Sequence, residues 1–265
     1  MPTFVDVFGI IALVSILSYL LYIIYYALDL FLQNPFLTYK KLTPQEERVV
    51  AKNIPAYSKL SLEQKNKLRK RVSRFRARKE FIFHGDIPDK EEIKVLLSAT
   101  AAFLTLGFKN YNIKTIERII IYPTKYYSRL NKQNHLGEYN PNLKTLVFSA
   151  EHILKGFEDL TDNKNLGVHE FAHALIFNAM DNYTITARTF MGGLNRMQKL
   201  LKHPKFIERI DKTQYFRDYG KTNIHEFFAV ALENYTETPS DFIKEFPELY
   251  KIITRMLNFR QYRFH

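Results

Sequence analysis

The stretch LGVHEFAHALIF, Leu166–Phe177, places three polar side chains inside an apolar segment that has helical spacing. The polar residues are His169, Glu170 and His173. Burying polar groups in a core helix costs free energy unless each one finds a partner. We therefore expect a helix over about residues 166–180 whose polar side chains form a site and whose apolar side chains form part of the core.

These three residues have the spacing of the HExxH motif. His169 and His173 are four residues apart, so both imidazoles project from one face of a helix and can bind one metal ion. The chain contains no cysteine, so a zinc site would consist of histidines and carboxylates. The motif predicts a Zn²⁺ site with the two histidines as ligands and Glu170 as general base. The alternative is a pair of core histidines that are hydrogen-bonded to neighbours.

A catalytic zinc ion usually has a third protein ligand. Ile176 and Ala179 stand where a metzincin would have glycine and histidine, which excludes that class. The favoured candidate is Glu226 in the apolar segment NIHEFFAVALENYTE, in which Glu233, seven residues later, shares its helical face.

Two alternatives to this assignment stay open. Glu226 could instead lie near the start of its helix and serve the helix dipole or a cap. The third ligand could also come from another side chain, and the candidates are Asp181, Asp211, Asp218 and His225.

The N-terminal segment Val7–Leu28 contains 22 residues without a charge. As a helix it would be about 33 Å long, enough to cross a hydrocarbon layer of roughly 30 Å. It lacks the basic start and small-residue cleavage site of a signal peptide. We expect a retained transmembrane anchor, with a buried helix of a soluble protein as the alternative.

The charges that flank this segment predict its orientation. Lys40, Lys41, Arg48 and Lys52 follow it, whereas no lysine or arginine precedes it. The positive-inside rule therefore predicts a single-pass membrane protein whose remaining part is cytoplasmic. The predicted organisation is an anchor over residues 1–30, a linker over 31–58 and one catalytic domain over 59–265.

Residues 61–79 (SLEQKNKLRKRVSRFRARK) read as a basic helix with nine lysines and arginines, and they contribute much of the net charge of +12. Three interpretations compete: a solvated helix face, a contact with anionic lipid headgroups, and a contact with nucleic acid. No nucleic-acid-binding motif accompanies the helix, so no nucleic acid is expected. The anchor favours the lipid contact over the nucleic-acid contact.

The rest of the chain predicts an α+β domain. Residues 90–108 read as a helix, ERIIIYP (Glu117–Pro123) and LKTLVFS (Leu143–Ser149) as strands, and the chain after residue 166 as mainly helical. A peptide substrate would lie along the LKTLVFS strand by strand addition.

The chain resembles the MtfA (Mlc titration factor A) family of zinc-dependent peptidases in two long segments, VHEFAHAL and NIHEFFAVALENYTETPSDFIKEFPELYKII. Three shorter segments of the family also occur in the expected order: LSATAAFLTLGF, IIIYP and LVFSAEHIL. The resemblance implies a gluzincin-like zincin fold, similar to the catalytic domain of anthrax lethal factor. It implies His169, His173 and Glu226 as zinc ligands, Glu170 as base and aminopeptidase-like activity. In enterobacterial members it also implies binding of the glucose-responsive repressor Mlc, so a transcriptional repressor is a candidate partner.

The chain departs from the family after the second histidine of the motif. The family commonly has Lys-Leu-Asp there, whereas this chain has Ala174, Leu175 and Ile176. An acidic residue that would support the metal ligands is therefore missing from that position.

The ligand set predicts peptide hydrolysis in which Glu170 accepts a proton from the attacking water and delivers it to the leaving amine. The developing oxyanion needs a further donor. The hydroxyl group of Tyr219, at a place where the resemblance also suggests a tyrosine, is the predicted donor. The alternative function is a regulatory protein that binds a repressor or another partner through a metal-stabilised domain with little turnover.

Overall fold

The structure is a computed structural model, and it describes residues 4–27, 38–128, 133–213, 215–217 and 223–259 of the 265. The chain divides into two compact units, Met1–Thr38 and Tyr39–His265. The first unit contains helix α1, Phe4–Ala27. Within α1, Val7–Tyr25 is long and apolar enough to cross a membrane, and none of its residues is buried.

The second unit contains ten further helices and six strands among its described residues. The helices are α2 (Pro44–Asn53), α3 (Leu62–Arg78), α4 (Lys90–Leu104), α5 (Ala150–Glu158), α6 (Leu166–Met180), α7 (Ile185–Leu200), α8 (Pro204–Thr213), α9 (Ile224–Glu237), α10 (Pro239–Glu245) and α11 (Pro247–Met256). The strands are β1 (Glu80–Phe83), β2 (Arg118–Tyr122), β3 (Tyr126–Ser128), β4 (Gln133–His135), β5 (Gly137–Asn140) and β6 (Thr145–Ser149). The predicted α+β class is confirmed.

Four strands form a mixed sheet in the order β1-β2-β6-β5. β1, β2 and β6 are parallel, with Ile120 opposite Val147, whereas β5 is antiparallel to β6, with Glu138 opposite Val147. β3 and β4 form a separate antiparallel pair. The strand of LKTLVFS, β6, is therefore interior, and the prediction that a substrate adds to it is wrong. β5 is the edge strand on that side of the sheet.

Helix α6 lies at the centre of the second unit, where it packs against α4, α7, α9 and β5. Its apolar side is fully buried and contacts aromatic side chains from both the sheet and another helix. The ring of Phe171 lies 5.9 Å from that of Phe75 on α3 and 6.4 Å from that of Phe148 on β6. This packing holds the polar residues of the HExxH motif in a fixed place relative to the sheet.

The basic helix α3 uses many of its charges inside the fold. Arg71 is buried and donates hydrogen bonds to the carbonyl oxygens of Thr105 and, at 2.7 Å, Phe108. Lys79, which follows the helix, is also buried and donates to the carbonyl oxygen of Ile113 at 2.8 Å. Burial lowers the pKa of Arg71 to about 10 and that of Lys79 to about 8.

Two more cations of α3 pair with helix α2: Arg69 with Glu47 and Arg76 with Glu46. Among the lysines and arginines of α3, the exposed side chains are Lys67 and Lys70. Much of the positive charge that the sequence displays is therefore structural. A contact of α3 with lipid stays a prediction and would depend on few exposed cations.

The residues predicted as a linker, 31–58, include helix α2. This helix begins at a capping box in which Thr43 and Glu46 satisfy each other's backbone N–H groups. It buries Val50 and Asn53, and Ile54 just after it is also buried. The apolar residues of this helix, Val49, Val50 and Ala51, are consecutive and show no helical period, which explains why the sequence alone does not indicate the helix.

Candidate metal centre

Helix α6 begins at Asn165, whose side chain accepts a hydrogen bond from the backbone N–H of Val168 at 3.1 Å. The first histidine of the motif follows within the next turn, and the second lies one turn later on the same face. As a result, the rings of His169 and His173 lie 5.0 Å apart. Both imidazoles therefore point to one place, as the i, i+4 spacing predicts.

Helix α9 brings a carboxylate to these imidazoles. Its N-cap is Asn223, whose Oδ1 accepts hydrogen bonds from the N–H groups of His225 and Glu226. Because Asn223 provides the cap, the carboxylate of Glu226 is not needed for that role. Instead, its Oε2 lies 3.1 Å from Nε2 of His169 and its Oε1 lies 3.5 Å from Nε2 of His173.

The donor atoms of His169, His173 and Glu226 have the spacing that a metal ion requires. They all lie within 4.8 Å of one another. In a tetrahedral zinc site, with bonds of about 2.05 Å, two ligand atoms are separated by roughly 3.3 Å. The two nitrogen–oxygen distances of 3.1 and 3.5 Å bracket that value. Two imidazoles and one carboxylate also form a common donor set of catalytic zinc sites, so these residues fit a metal ion.

The charges of this cluster suit displacement of protons by a cation. Burial alone would lower the pKa of His169, but the carboxylates of Glu226 and Glu233 raise it to about 10. Burial would raise the pKa of Glu226, but hydrogen bonds from the two histidines hold it well below its usual range. A cation bound here would displace the proton of the His169 imidazole and take over its interaction with the carboxylate.

Glu170, the predicted base, is 6% exposed and lies against the edge strand β5. Burial raises its pKa, which the two histidines of the motif partly oppose. The closest approach is at Gly137, where a Cβ atom would lie 3.0 Å from Oε1 of Glu170 and 2.8 Å from Leu166. The absence of a side chain at residue 137 therefore lets the strand pass directly beside this carboxylate.

A second buried carboxylate lies on the far side of His169. Glu233 is 1% exposed, and its Oε2 lies 3.6 Å from Nδ1 of His169. It pairs with Arg217 and accepts a hydrogen bond of 3.0 Å from the backbone N–H of Asn165. The sequence lacks a supporting acidic residue after the second histidine of the motif. The carboxylate of Glu233, on α9, can support His169 in its place.

Asn165 links three elements at this point. Besides capping α6, its Nδ2 donates to the carbonyl oxygen of Gly156 on α5 and to Oε1 of Glu237 on α9, each at 3.1 Å. The start of α6 is thus fixed relative to α9, and with it the position of His169 relative to Glu226. The sequence signals for these supporting residues are weak, because an asparagine N-cap and a buried glutamate occur in many helices.

The alternative third ligands do not join this cluster where they are described. Asp181 and Asp211 are not among the residues grouped with the two histidines. The ring of His225 packs on that of Phe177, 6.2 Å away, and not on the metal-ligating atoms. Asp218 and Tyr219 lie outside the described residues, so the predicted role of Tyr219 remains a prediction.

Comparison with known proteins agrees with the geometry of this site. The chain is 23% identical over 236 residues to an uncharacterized protein, slr2042, from Synechocystis sp., an alignment that covers 83% of this chain and 85% of that relative. Residues 32–258 match the family described as glucose-regulated metallo-peptidase M90. That match spans nearly all of the second unit, including both helices that supply the cluster. The chain therefore belongs to the M90 family of metallopeptidases.

Proposed function

We propose that this protein is a membrane-anchored zinc peptidase with a zincin-like fold and aminopeptidase-like activity. The observation that carries the proposal is the cluster of His169, His173 and Glu226, whose donor atoms lie within 4.8 Å of one another. The buried carboxylate of Glu170 lies next to this cluster in the chain and in space. Membership of a metallopeptidase family supports the same reaction class.

In the proposed mechanism, the three ligands hold a divalent metal ion, which, when bound, acts as a Lewis acid towards water and a peptide carbonyl. Glu170 accepts the proton of the attacking water and returns it to the leaving amine. Its buried position raises its pKa, which makes the protonated form accessible for the second of these steps. No other described carboxylate has this combination of burial and adjacency to both histidines.

We propose that a peptide substrate adds to the free edge of β5. This strand, Gly137–Asn140, pairs with β6 on one side and ends the sheet on the other. Backbone groups at a sheet edge bind an extended peptide independently of its sequence. Gly137 would place that peptide beside Glu170, since no side chain separates the strand from the carboxylate.

The proposed oxyanion donor is Tyr219. Replacing its hydroxyl group in Tyr219→Phe should lower kcat by more than about tenfold with little change in KM, because the contact would form only in the transition state. An unchanged kcat would remove this residue from the mechanism.

The proposed membrane anchor is α1. The Val7–Tyr25 window has the length and composition of a membrane span, and basic residues follow it but do not precede it. In this proposal the metal centre lies on the cytoplasmic side of the membrane. Protease treatment of sealed vesicles checks the orientation. Added protease should degrade the second unit in inverted vesicles, whose cytoplasmic face is outside, and leave it intact in right-side-out vesicles.

The alternative is a regulatory protein that binds a transcriptional repressor or another partner with little turnover. The buried base favours the enzyme, because a purely structural metal site needs no such carboxylate. Glu170→Gln separates the two: a cellular phenotype that persists in this variant would indicate binding.

The experiment that tests the proposal combines metal analysis with hydrolysis assays on the same purified samples. We expect about one zinc ion per chain, together with cleavage of aminoacyl or internally quenched peptides that a chelator stops and added zinc restores. The Glu226→Ala variant should lose both properties. Zinc without cleavage of any peptide would support the regulatory alternative.

A further inference from the structure

A cleft with a volume of about 440 Å³ opens beside the metal centre. His169 and Glu170 line it on the side of the motif, and residues of α5, of β4 and the start of β5, of the segment before α6 and of α9, together with Arg217, line the remainder. Its volume is in the range of sites that hold a side chain or a small ligand. A substrate bound at Glu170 would therefore place a neighbouring group in this cleft.

The outer wall of the cleft carries two exposed lysines, Lys155 on α5 and Lys164 just before α6. Within the part of the chain that the structure describes, neither ammonium group forms an ion pair. By contrast, Lys94 and Lys144 on other surfaces pair with glutamates. The backbone N–H of Lys164 is held by Oδ1 of Asp162 at 2.9 Å, which orders the segment that presents this lysine.

The acidic groups of the cleft do not cancel these charges. Glu233 is already engaged by Arg217 and by a backbone N–H group. Glu170 faces the two histidines of the metal centre. Once these partnered groups are set aside, the charged residues that remain in the lining are two lysines and Asp162. These residues give the cleft an excess of one positive charge without a metal ion.

Two residues in the wall of the cleft each have a buried nitrogen atom without a hydrogen-bond partner among the described residues. These atoms are Nε of Arg217 and Nε2 of His135. Buried polar atoms in folded proteins nearly always have partners. Both side chains line the cleft, so a small rotation of either one would bring its unpaired nitrogen atom to a polar group of a bound ligand.

We infer that this cleft is a subsite for a carboxylate of the substrate, and that the enzyme selects peptides with an acidic residue or a free C-terminus near the scissile bond. The inference rests on the proposed peptidase function. Exposed lysines attract such a group electrostatically, and the guanidinium of Arg217, whose side chain is 37% exposed, offers directed hydrogen bonds. The sequence separates these residues by up to 82 positions, so only the fold brings them together.

The test uses the full-length protein and matched pairs of peptides, some internally quenched and some with a free N-terminus whose cleavage is measured as newly released amine. One arm replaces glutamate by the isosteric neutral glutamine at each position around the cleaved bond. The other arm compares a free C-terminal carboxylate with its amide. We expect one arm to show a preference for the charged member of about tenfold or more in kcat/KM, which decreases as salt is added.

Variants then assign the preference to the cleft. In the double variant Lys155→Gln, Lys164→Gln the ratio of kcat/KM for charged and neutral peptides should fall to within about threefold of one. The matched control Lys199→Gln removes an exposed lysine on α7, outside the cleft, and should keep the wild-type ratio.

The outcomes separate this inference from the function on which it rests. Equal cleavage of charged and neutral peptides in both arms overturns the carboxylate subsite and leaves the peptidase intact. A preference that survives the double variant also overturns it. Failure to cleave any peptide with zinc bound refutes the peptidase proposal and the subsite with it.

Discussion

Oε2 of Glu233 lies 3.6 Å from Nδ1 of His169, while the other ring nitrogen of that histidine lies 3.1 Å from Glu226. The imidazole is therefore held between two carboxylates of the same helix, α9. One carboxylate is a candidate metal ligand, and the other is fixed by Arg217 and by the backbone of Asn165. A carboxylate at Nδ1 favours the tautomer that leaves Nε2 free to bind a metal ion.

This relationship predicts the effect of Glu233→Gln. The amide keeps the shape of the side chain but removes the charge that orients His169, so metal affinity should fall by about 10- to 100-fold. Competition with a chromophoric chelator measures this change.

The matched control for that variant is Glu237→Gln. This residue lies one turn further along α9 and also bonds Asn165, but it does not contact the histidine. Because the amide oxygen of glutamine can still accept the hydrogen bond from Asn165, this variant should bind metal within about threefold of the wild type. Equal metal affinity in the wild type and Glu233→Gln would contradict the supporting role of Glu233.

Variants of two adjacent residues test which side chain is the third metal ligand. Glu226→Ala removes one of the three proposed metal ligands and should abolish tight metal binding and peptide hydrolysis. His225→Ala changes the neighbouring side chain, which packs on Phe177, and should retain about one metal ion per chain. Metal loss in the histidine variant with retention in the glutamate variant would reverse this assignment.

The change in stability of the metal-free protein with pH should depend on Glu237. Burial raises the pKa of this carboxyl to about 8 from its usual value of 4.5, and the charge of Glu233 also raises it. Between about pH 4.5 and 8 the folded state therefore binds more protons than the unfolded state, so this group makes stability fall as pH rises.

Each pH unit in that window removes up to about 1.4 kcal/mol from the free energy of unfolding. Glu237→Gln should lose this dependence and gain stability relative to the wild type as pH rises. Urea denaturation at pH 5.5 and 7.5, with chelator present, measures the difference. Identical pH dependence in both proteins would show that the carboxyl is not held neutral.

The central part of the site can be predicted from the sequence because each of its residues is polar at a position where a buried helix would normally have an apolar residue. Two histidines and a glutamate interrupt an apolar helix, and Glu226 interrupts another. Such residues indicate function when buried polar groups would otherwise be costly. The structure places the two helices against each other and brings the donor atoms of His169, His173 and Glu226 within 4.8 Å of one another.

The supporting residues could not be predicted in the same way. The sequence shows that Glu233 shares a helical face with Glu226, but its contact with His169 depends on how α6 and α9 cross. The order of the strands in the sheet also depends on contacts that the local sequence does not show. β5 pairs with β6 on the side away from β2, so the LKTLVFS strand is interior. Arg217 and Lys155 reach the cleft from separate segments with no shared pattern.

The most direct test of the account is metal content and peptide hydrolysis in Glu170→Gln. The carboxylate is proposed to move a proton and not to bind the metal. We therefore expect the variant to retain about one zinc ion per chain while kcat falls by about 100-fold or more. Hydrolysis at the wild-type rate with zinc bound would contradict the proposed role of Glu170 and, with it, the assignment of this site as the catalytic centre.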